Sequence, residues 1–198
     1  MKQILVSQRV DTIESYNERR DALDQKWADF LWEAGIIGLP VFNHALSLNE
    51  IIKSIQIDGI LLTGGNTPVE YGGSAPERDN TDNFLISYAI KNNIPLLGVC
   101  RGMQSIVIYF GGSLHKVENH VAKRHDLDSS YNVNSYHEYA PDNSGSELDI
   151  IQKATDGVIE HIKHKNLPIA GIMWHPEREK PFNKRDIELF NAFFNRSI

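Results

Sequence analysis

The chain has 198 residues, enough for one well-buried core and too few for two full-sized domains, so a single domain over residues 1–198 is expected. Its composition, 41% hydrophobic and 23% charged, excludes a disordered chain. The formal charge of −6 lacks the positive field that a non-specific nucleic-acid binder needs, and no apolar run approaches the roughly 18–20 residues of a membrane span.

Residues 2–7 (KQILVS) are a short apolar run ending in polar residues, as a buried parallel strand does; they do not lead into a signal-peptide core. The single cysteine, Cys100, has no partner for an internal disulfide, which fits a cytoplasmic protein. Over residues 19–34 the apolar positions Ala22, Leu23, Trp27, Phe30, Leu31 and Ala34 recur at spacings of three and four, predicting a helix that stops at Gly35. A second strand is expected in GLPVFN (38–43), then a helix over 48–55 with Ser47 as N-cap, then a strand in DGILLTGG (58–65). A long polar loop, 66–83, precedes a helix over 84–91; its glycines and length permit a lid over substrate. IPLLGV (94–99) gives a fourth strand and 103–110 a helix closed by Gly111 and Gly112. Strand-like segments follow at 113–117, 131–140, 147–155 and 167–174, with a turn at Asp156-Gly157, and a helix over 184–194 closes the chain. Alternating strands and helices predict an α/β fold whose mostly parallel central sheet is flanked by helices, with ligands at the carboxyl ends of the strands.

Gly98-Val99-Cys100-Arg101-Gly102 has the form G-x-C-x-G between a strand and a helix, the thiol counterpart of the G-x-S-x-G nucleophile elbow. A helix starting there favours the thiolate through its unpaired N–H groups and positive dipole end. A lone cysteine is also a common small core residue, so the turn needs a partner base to be read as reactive. GIMWHPERE supplies one: His175 follows an apolar strand, Pro176 ends that strand, and Glu177 stands two residues on, within reach of the second ring nitrogen. His161 and His164 form an H-x-x-H pair in a polar turn region with no cysteine nearby, and no metal site is expected there.

GILLTGG, ERD, IPLLGVCRGMQ, GGSLH, VNSYH, ATDGVIE and IAGIMWHPE, in this order over nearly the whole chain, resemble the class I glutamine amidotransferases and their stand-alone γ-glutamyl hydrolase relatives. The resemblance implies a flavodoxin-like core and a Cys100-His175-Glu177 triad. It also implies an oxyanion hole of backbone N–H groups from the Gly64-Gly65 turn and Arg101. By the same match Gln104, Asn134, Ser135, Tyr136 and His137 hold the glutamyl α-amino and α-carboxylate groups. The plain alternatives are helix packing for Gln104 and ordinary strand positions for Ser135 and His137. Two departures, Met173 before Trp174 and Glu138-Tyr139 after His137, leave the triad intact and weaken transfer of a relative's substrate preference.

Within that group QRVD…YNERRDALDQKW looks like the γ-glutamyl-CDP-amidate hydrolases of bacterial capsule phosphoramidate synthesis. It places Arg9, Tyr16, Arg19 and Arg20 after the first strand, where guanidinium forks match phosphate oxygens. Arg19 and Arg20 can equally be a solvated helix start paired with Glu18, Asp21 and Asp24. The expected substrate is a small γ-glutamyl amide, nucleotide-linked, cleaved to glutamate without a cofactor, metal or synthase partner. A γ-glutamyl-amine hydrolase of polyamine breakdown, a non-catalytic binding homologue and a glutaminase subunit stand as the other readings.

Overall fold

The computed structural model describes residues 1–195. Its centre is a seven-stranded sheet of β1 (Lys2–Val6), β4 (Ile36–Pro40), β5 (Gly59–Leu62), β6 (Leu96–Val99), β11 (Leu148–Lys153), β12 (Ile159–His164) and β13 (Ile169–Ile172), in the order β11-β12-β13-β6-β5-β1-β4. The five strands from β13 to β4 are parallel, while β11 and β12 are antiparallel. Strands β5, β6 and β13 are buried along their whole length, which is why they read as continuous apolar runs. Alternation along each strand splits the core in two. Leu5, Ile60, Leu62 and Leu96 face Leu48 of α2 (Ala45–Ser54), Leu85 of α3 (Pro76–Asn92) and Met103 of α4 (Arg101–Tyr109). Ile4, Val6, Leu61 and Leu97 face Trp27 and Phe30 of α1 (Lys26–Glu33) and Phe190 of α5 (Lys184–Phe194). Phe30 is fully buried with its ring 4.8 Å from that of Phe190, and removing such a side chain costs about 3–5 kcal/mol. Among the described residues no helix is long and apolar enough to cross a membrane.

The helix expected over 19–34 starts only at Lys26. Glu18–Ala22 is strand β3, paired antiparallel with β2 (Arg9–Ile13) through a turn in which Asn17 is left-handed (φ 52°). Asn43 fastens this ribbon to the sheet by donating to Asp21 from its backbone (3.0 Å) and its side-chain amide (2.7 Å). Ala22 and Leu23 match the helical stripe by coincidence; the stripe that packs is Trp27, Phe30, Leu31 and Ala34. His44, not Ser47, caps α2, its Nδ1 accepting from Ser47 N at 3.3 Å. Helix α3 begins at Pro76, eight residues earlier than expected, so the second half of the supposed loop 66–83 is helical. That first turn and a half is polar on every face and is held by buried ion pairs rather than by an apolar stripe.

The second half carries two strands that no sequence pattern predicted, β8 (Val121–Asp126) and β12. Strand β8 pairs with β9 (Asn132–Tyr136), and β10 (Tyr139–Asn143) pairs with β7 (Ser113–Lys116). His161 and His164 therefore lie in a sheet strand, not a polar turn.

Candidate active site

The chain leaves β1 to pair β4 on one side and β5 on the other, so the crevice expected at a strand-order switch opens above β1 and β5. Ser7 and Thr63, the residues just past these strands, lock their loops together, Thr63 N donating to Ser7 Oγ at 3.0 Å and Thr63 Oγ1 to Ser7 O at 2.7 Å. Because β5, β6 and β13 are neighbours, their carboxyl ends bring Gly64-Gly65, Cys100 and His175 side by side.

Cys100 sits at φ 51°, ψ −106°, a strained conformation for a residue with a side chain, and its carbonyl accepts from Gln104 N at 3.0 Å to start α4. The flanking glycines are obligatory. A Cβ on Gly98 would come within 2.5 Å of the Gly102 backbone, and one on Gly102 would strike the Leu62 carbonyl. The thiol is 6% exposed. Gly64 is equally constrained, since a Cβ there would come within 2.5 Å of His175 Cε1 and 3.6 Å of Cys100 Cβ.

His175 Nδ1 is 2.7 Å from Glu177 Oε1, and both residues are 2% exposed. Burial works against charge on the imidazole, but the Glu177 carboxylate and the neighbouring Cys100 sulfur outweigh it and hold the His175 pKa up at about 9. The geometry thus favours an imidazolium beside the sulfur at neutral pH. Trp174 anchors the strand end below by donating from its indole to Asp186 Oδ1 at 3.0 Å.

The sequence-derived residues divide sharply. A cleft of about 350 Å³ is lined by Cys100, Gly65, Arg101, Gln104, Tyr136 and His137, with Glu138 and Tyr139 at its far wall. Gln104 donates to Tyr139 O at 2.8 Å. Asn134 stands behind His175 instead: its Oδ1 accepts from His175 N at 2.9 Å and its Nδ2 donates to His175 O at 2.8 Å, which makes it a positioning residue. Ser135 is fully buried and donates to His120 O at 2.6 Å, outside the cleft. Tyr136 packs edge-on to His175, with the Arg178 guanidinium 4.3 Å from its ring centre.

The guanidinium cluster expected on the N-terminal segment does not assemble at the cleft. Arg19 reaches across to Glu77 at the start of α3 and to the Ser74 carbonyl just before it, while Arg20 pairs within the exposed ribbon with Glu18 and the Tyr16 hydroxyl. Only Arg9 reaches the site, its aliphatic carbons packed over Gly65, which is left-handed at φ 94°. Arg178, which no sequence argument singled out although it directly follows HPE, lines the same narrow crevice beside His175 and Glu177 as Arg9.

Under the Cys100 turn lies a charge network that sequence patterns did not reveal. Asp82 bridges two buried guanidinium groups: Arg78 Nε donates to its Oδ1 at 3.0 Å, Arg101 Nη1 pairs with its Oδ2, and Ser105 Oγ donates to Oδ2 at 2.8 Å. Arg78 also donates to Thr63 O at 2.8 Å and Ser7 Oγ at 3.0 Å, tying the network to both loops of the crevice. The signal that could have found it is Arg78 and Asp82 at i, i+4, close to the ERD motif.

A family model for the class I glutamine amidotransferases matches residues 28–195. The chain belongs to that family. Among curated relatives of this class I amidotransferase chain, the gamma-glutamyl-CDP-amidate hydrolase of Campylobacter jejuni is 30% identical, with 96% of each chain covered. The gamma-glutamyl-gamma-aminobutyrate hydrolase of Escherichia coli O157:H7 is 29% identical, with 78% of each covered. A solved structure of a GMP synthase component from Thermoplasma acidophilum superposes with a TM-score of 0.73 at 20% identity over 98% of this chain and 92% of that one, which shows the class I fold.

Proposed function

We propose that this chain is a self-sufficient cysteine hydrolase that cleaves a γ-glutamyl amide through a thioester, with γ-glutamyl-CDP-amidate as substrate and glutamate and CDP-amidate as products. The observation that carries the reading is Cys100 on its strained turn, beside an imidazole held by Glu177 at 2.7 Å, at the floor of a cleft of about 350 Å³ that suits a glutamyl group.

In this reading the Cys100 thiolate attacks the γ-carbonyl carbon, and the resulting oxyanion takes hydrogen bonds from the N–H groups of Gly65 and Arg101. Removing one such donor typically costs about 3–4 kcal/mol of transition-state stabilisation. The C–N bond breaks as the His175 imidazolium gives its proton to the departing nitrogen. The neutral imidazole then takes a proton from water, whose oxygen displaces the sulfur and frees glutamate. Gln104, Tyr136 and His137 line the space for the α-amino and α-carboxylate groups. Similarity to the Campylobacter protein over 96% of both chains supports the nucleotide-linked substrate. So do Arg9 and Arg178, which line a narrow crevice with His175 and Glu177; Arg9, now paired with Asp11 at 3.0 Å, would exchange that partner for a phosphate on the leaving group.

The test is glutamate release from γ-glutamyl-CDP-amidate, a γ-glutamyl alkylamine and glutamine in parallel, without added protein. Turnover of the nucleotide compound alone, with a raised KM in Arg9→Ala, is the expected result. Preference for the alkylamine would overturn the substrate assignment, and inactivity on all three would overturn self-sufficiency.

The reaction should also have a defined alkaline limit. His175 carries the acid proton below its pKa of about 9, so kcat/KM should fall as pH rises through that value. Because this folded-state pKa lies above the unfolded value of about 6.5, its stabilising contribution is complete below pH 6.5 and is lost towards pH 9. Glu177→Gln removes a group that holds the proton on, so the alkaline limb should move to lower pH in a pH–rate profile.

A further inference from the structure

Behind the cleft wall, three histidines converge on one carboxylate. Glu160 of β12 is fully buried, and no arginine or lysine pairs with it among the described residues. Its Oε1 lies 3.5 Å from His120 Nδ1, 3.3 Å from His125 Nε2 and 3.3 Å from His137 Nε2. Yet both carboxylate oxygens, both ring nitrogens of His137 and Nε2 of His125 lack a hydrogen-bond partner. Such orphaned polar atoms are costly in a dry interior, and a buried carboxylate needs a positive charge close by.

We propose that His120, His137 and Glu160, with His125 alongside, bind a divalent transition-metal ion, zinc by the chemistry of the donors. One nitrogen or oxygen from each of His120, His137 and Glu160 fits within 4.8 Å of the others, a gap that an ion can fill. Ligands about 2.0–2.1 Å from zinc at tetrahedral corners stand roughly 3.3–3.4 Å apart, which matches the separations from Glu160 better than misaligned hydrogen bonds do. Imidazole and carboxylate donors suit zinc rather than calcium or magnesium, which take oxygen ligands.

The surroundings are those of a metal site. His120 Nε2 contacts Asp156 Oδ2 at 2.9 Å, an outer carboxylate that fixes the tautomer and leaves Nδ1 facing Glu160. The ion and the two carboxylates together form a neutral unit, so burial costs little charge. His137 N donates to His120 O at 3.0 Å, holding two ligands in register. The ion would clip the β8–β9 ribbon to β12 of the central sheet and hold the part of the cleft wall that His137 forms.

The experiment uses the full chain carrying Cys100→Ser, which removes the thiolate that would otherwise capture metal beside His175. After chelator treatment, Co²⁺ is added and visible absorption recorded; Zn²⁺ affinity follows by competition with a chromophoric chelator. One equivalent of Co²⁺ with the strong bands of low coordination number, displaced by Zn²⁺, is expected. Asp156→Asn, at an exposed position, should weaken binding about 10- to 100-fold, and Glu160→Gln should abolish it. Zn²⁺ should raise the unfolding temperature of Cys100→Ser but not of the protein that also carries Glu160→Gln. Absence of the bands, or bands and affinity unchanged by both substitutions, would overturn the proposal.

Discussion

Cys100→Ala is expected to lower kcat for glutamate release by at least about 10⁴-fold while the protein stays folded. The alanine retains the Cβ, so it inherits the same strained backbone at φ 51°, and the helix start it caps is unchanged. What disappears is the sulfur, the atom that in the proposed mechanism splits one hard displacement into two easier ones. Loss of the sulfur also removes one of the influences that hold the His175 proton on, so the imidazole should titrate lower in the variant. A glutamate-release assay and a melting curve on the same preparation separate chemistry from stability. An alanine variant within tenfold of the parent would mean that water attacks the carbonyl directly and that the turn is only a structural device.

Asp82→Asn should cost about 3–5 kcal/mol of stability, which for a chain of this length lowers the melting temperature on the order of 10 °C. The asparagine has nearly the same shape, so no cavity forms; the loss is electrostatic. Asp82 pairs both the Arg78 and Arg101 guanidinium groups, whose side chains are 0% and 3% exposed; Arg101 keeps Asp79, but Arg78 keeps no other carboxylate partner among the described residues, so neutralising Asp82 strands a buried charge. Solvent screening does not soften this, unlike the exposed pair of Arg20 and Glu18, for which substitution should be nearly silent. Arg101 also supplies a proposed oxyanion N–H, so the surviving folded fraction of Asp82→Asn should show reduced kcat. Calorimetry that found a change below about 1 kcal/mol would show that the network contributes nothing net to the fold.

The parallel strands of the sheet and the glycine-flanked turn at Cys100 were legible in the sequence because their signals are local. Buried parallel strands announce themselves as apolar runs of four to six residues, and the turn at Cys100 requires glycine at two fixed offsets because backbone approaches within 2.5 Å of where a Cβ would be. His175 and Glu177 were legible for the same reason, two residues apart at the end of an apolar strand. The tertiary structure decided what depends on partners distant in the chain. Residues 19–25 carry a passable helical stripe, yet pairing with residues 9–13 and the hold of Asn43 on Asp21 make a ribbon of the first part, removing Arg19 and Arg20 from the cleft. Asn134 reads like a ligand-facing residue of a strand, but its amide is taken up by the His175 backbone, 41 positions away, and by Glu179 Oε1. The three histidines around Glu160 come from β8, its preceding loop and the residue just after β9, and no spacing rule connects them, because strand pairing rather than sequence distance sets which side chains meet. Local sterics thus determined where Cys100, the proposed nucleophile, stands, and long-range packing determined what surrounds it.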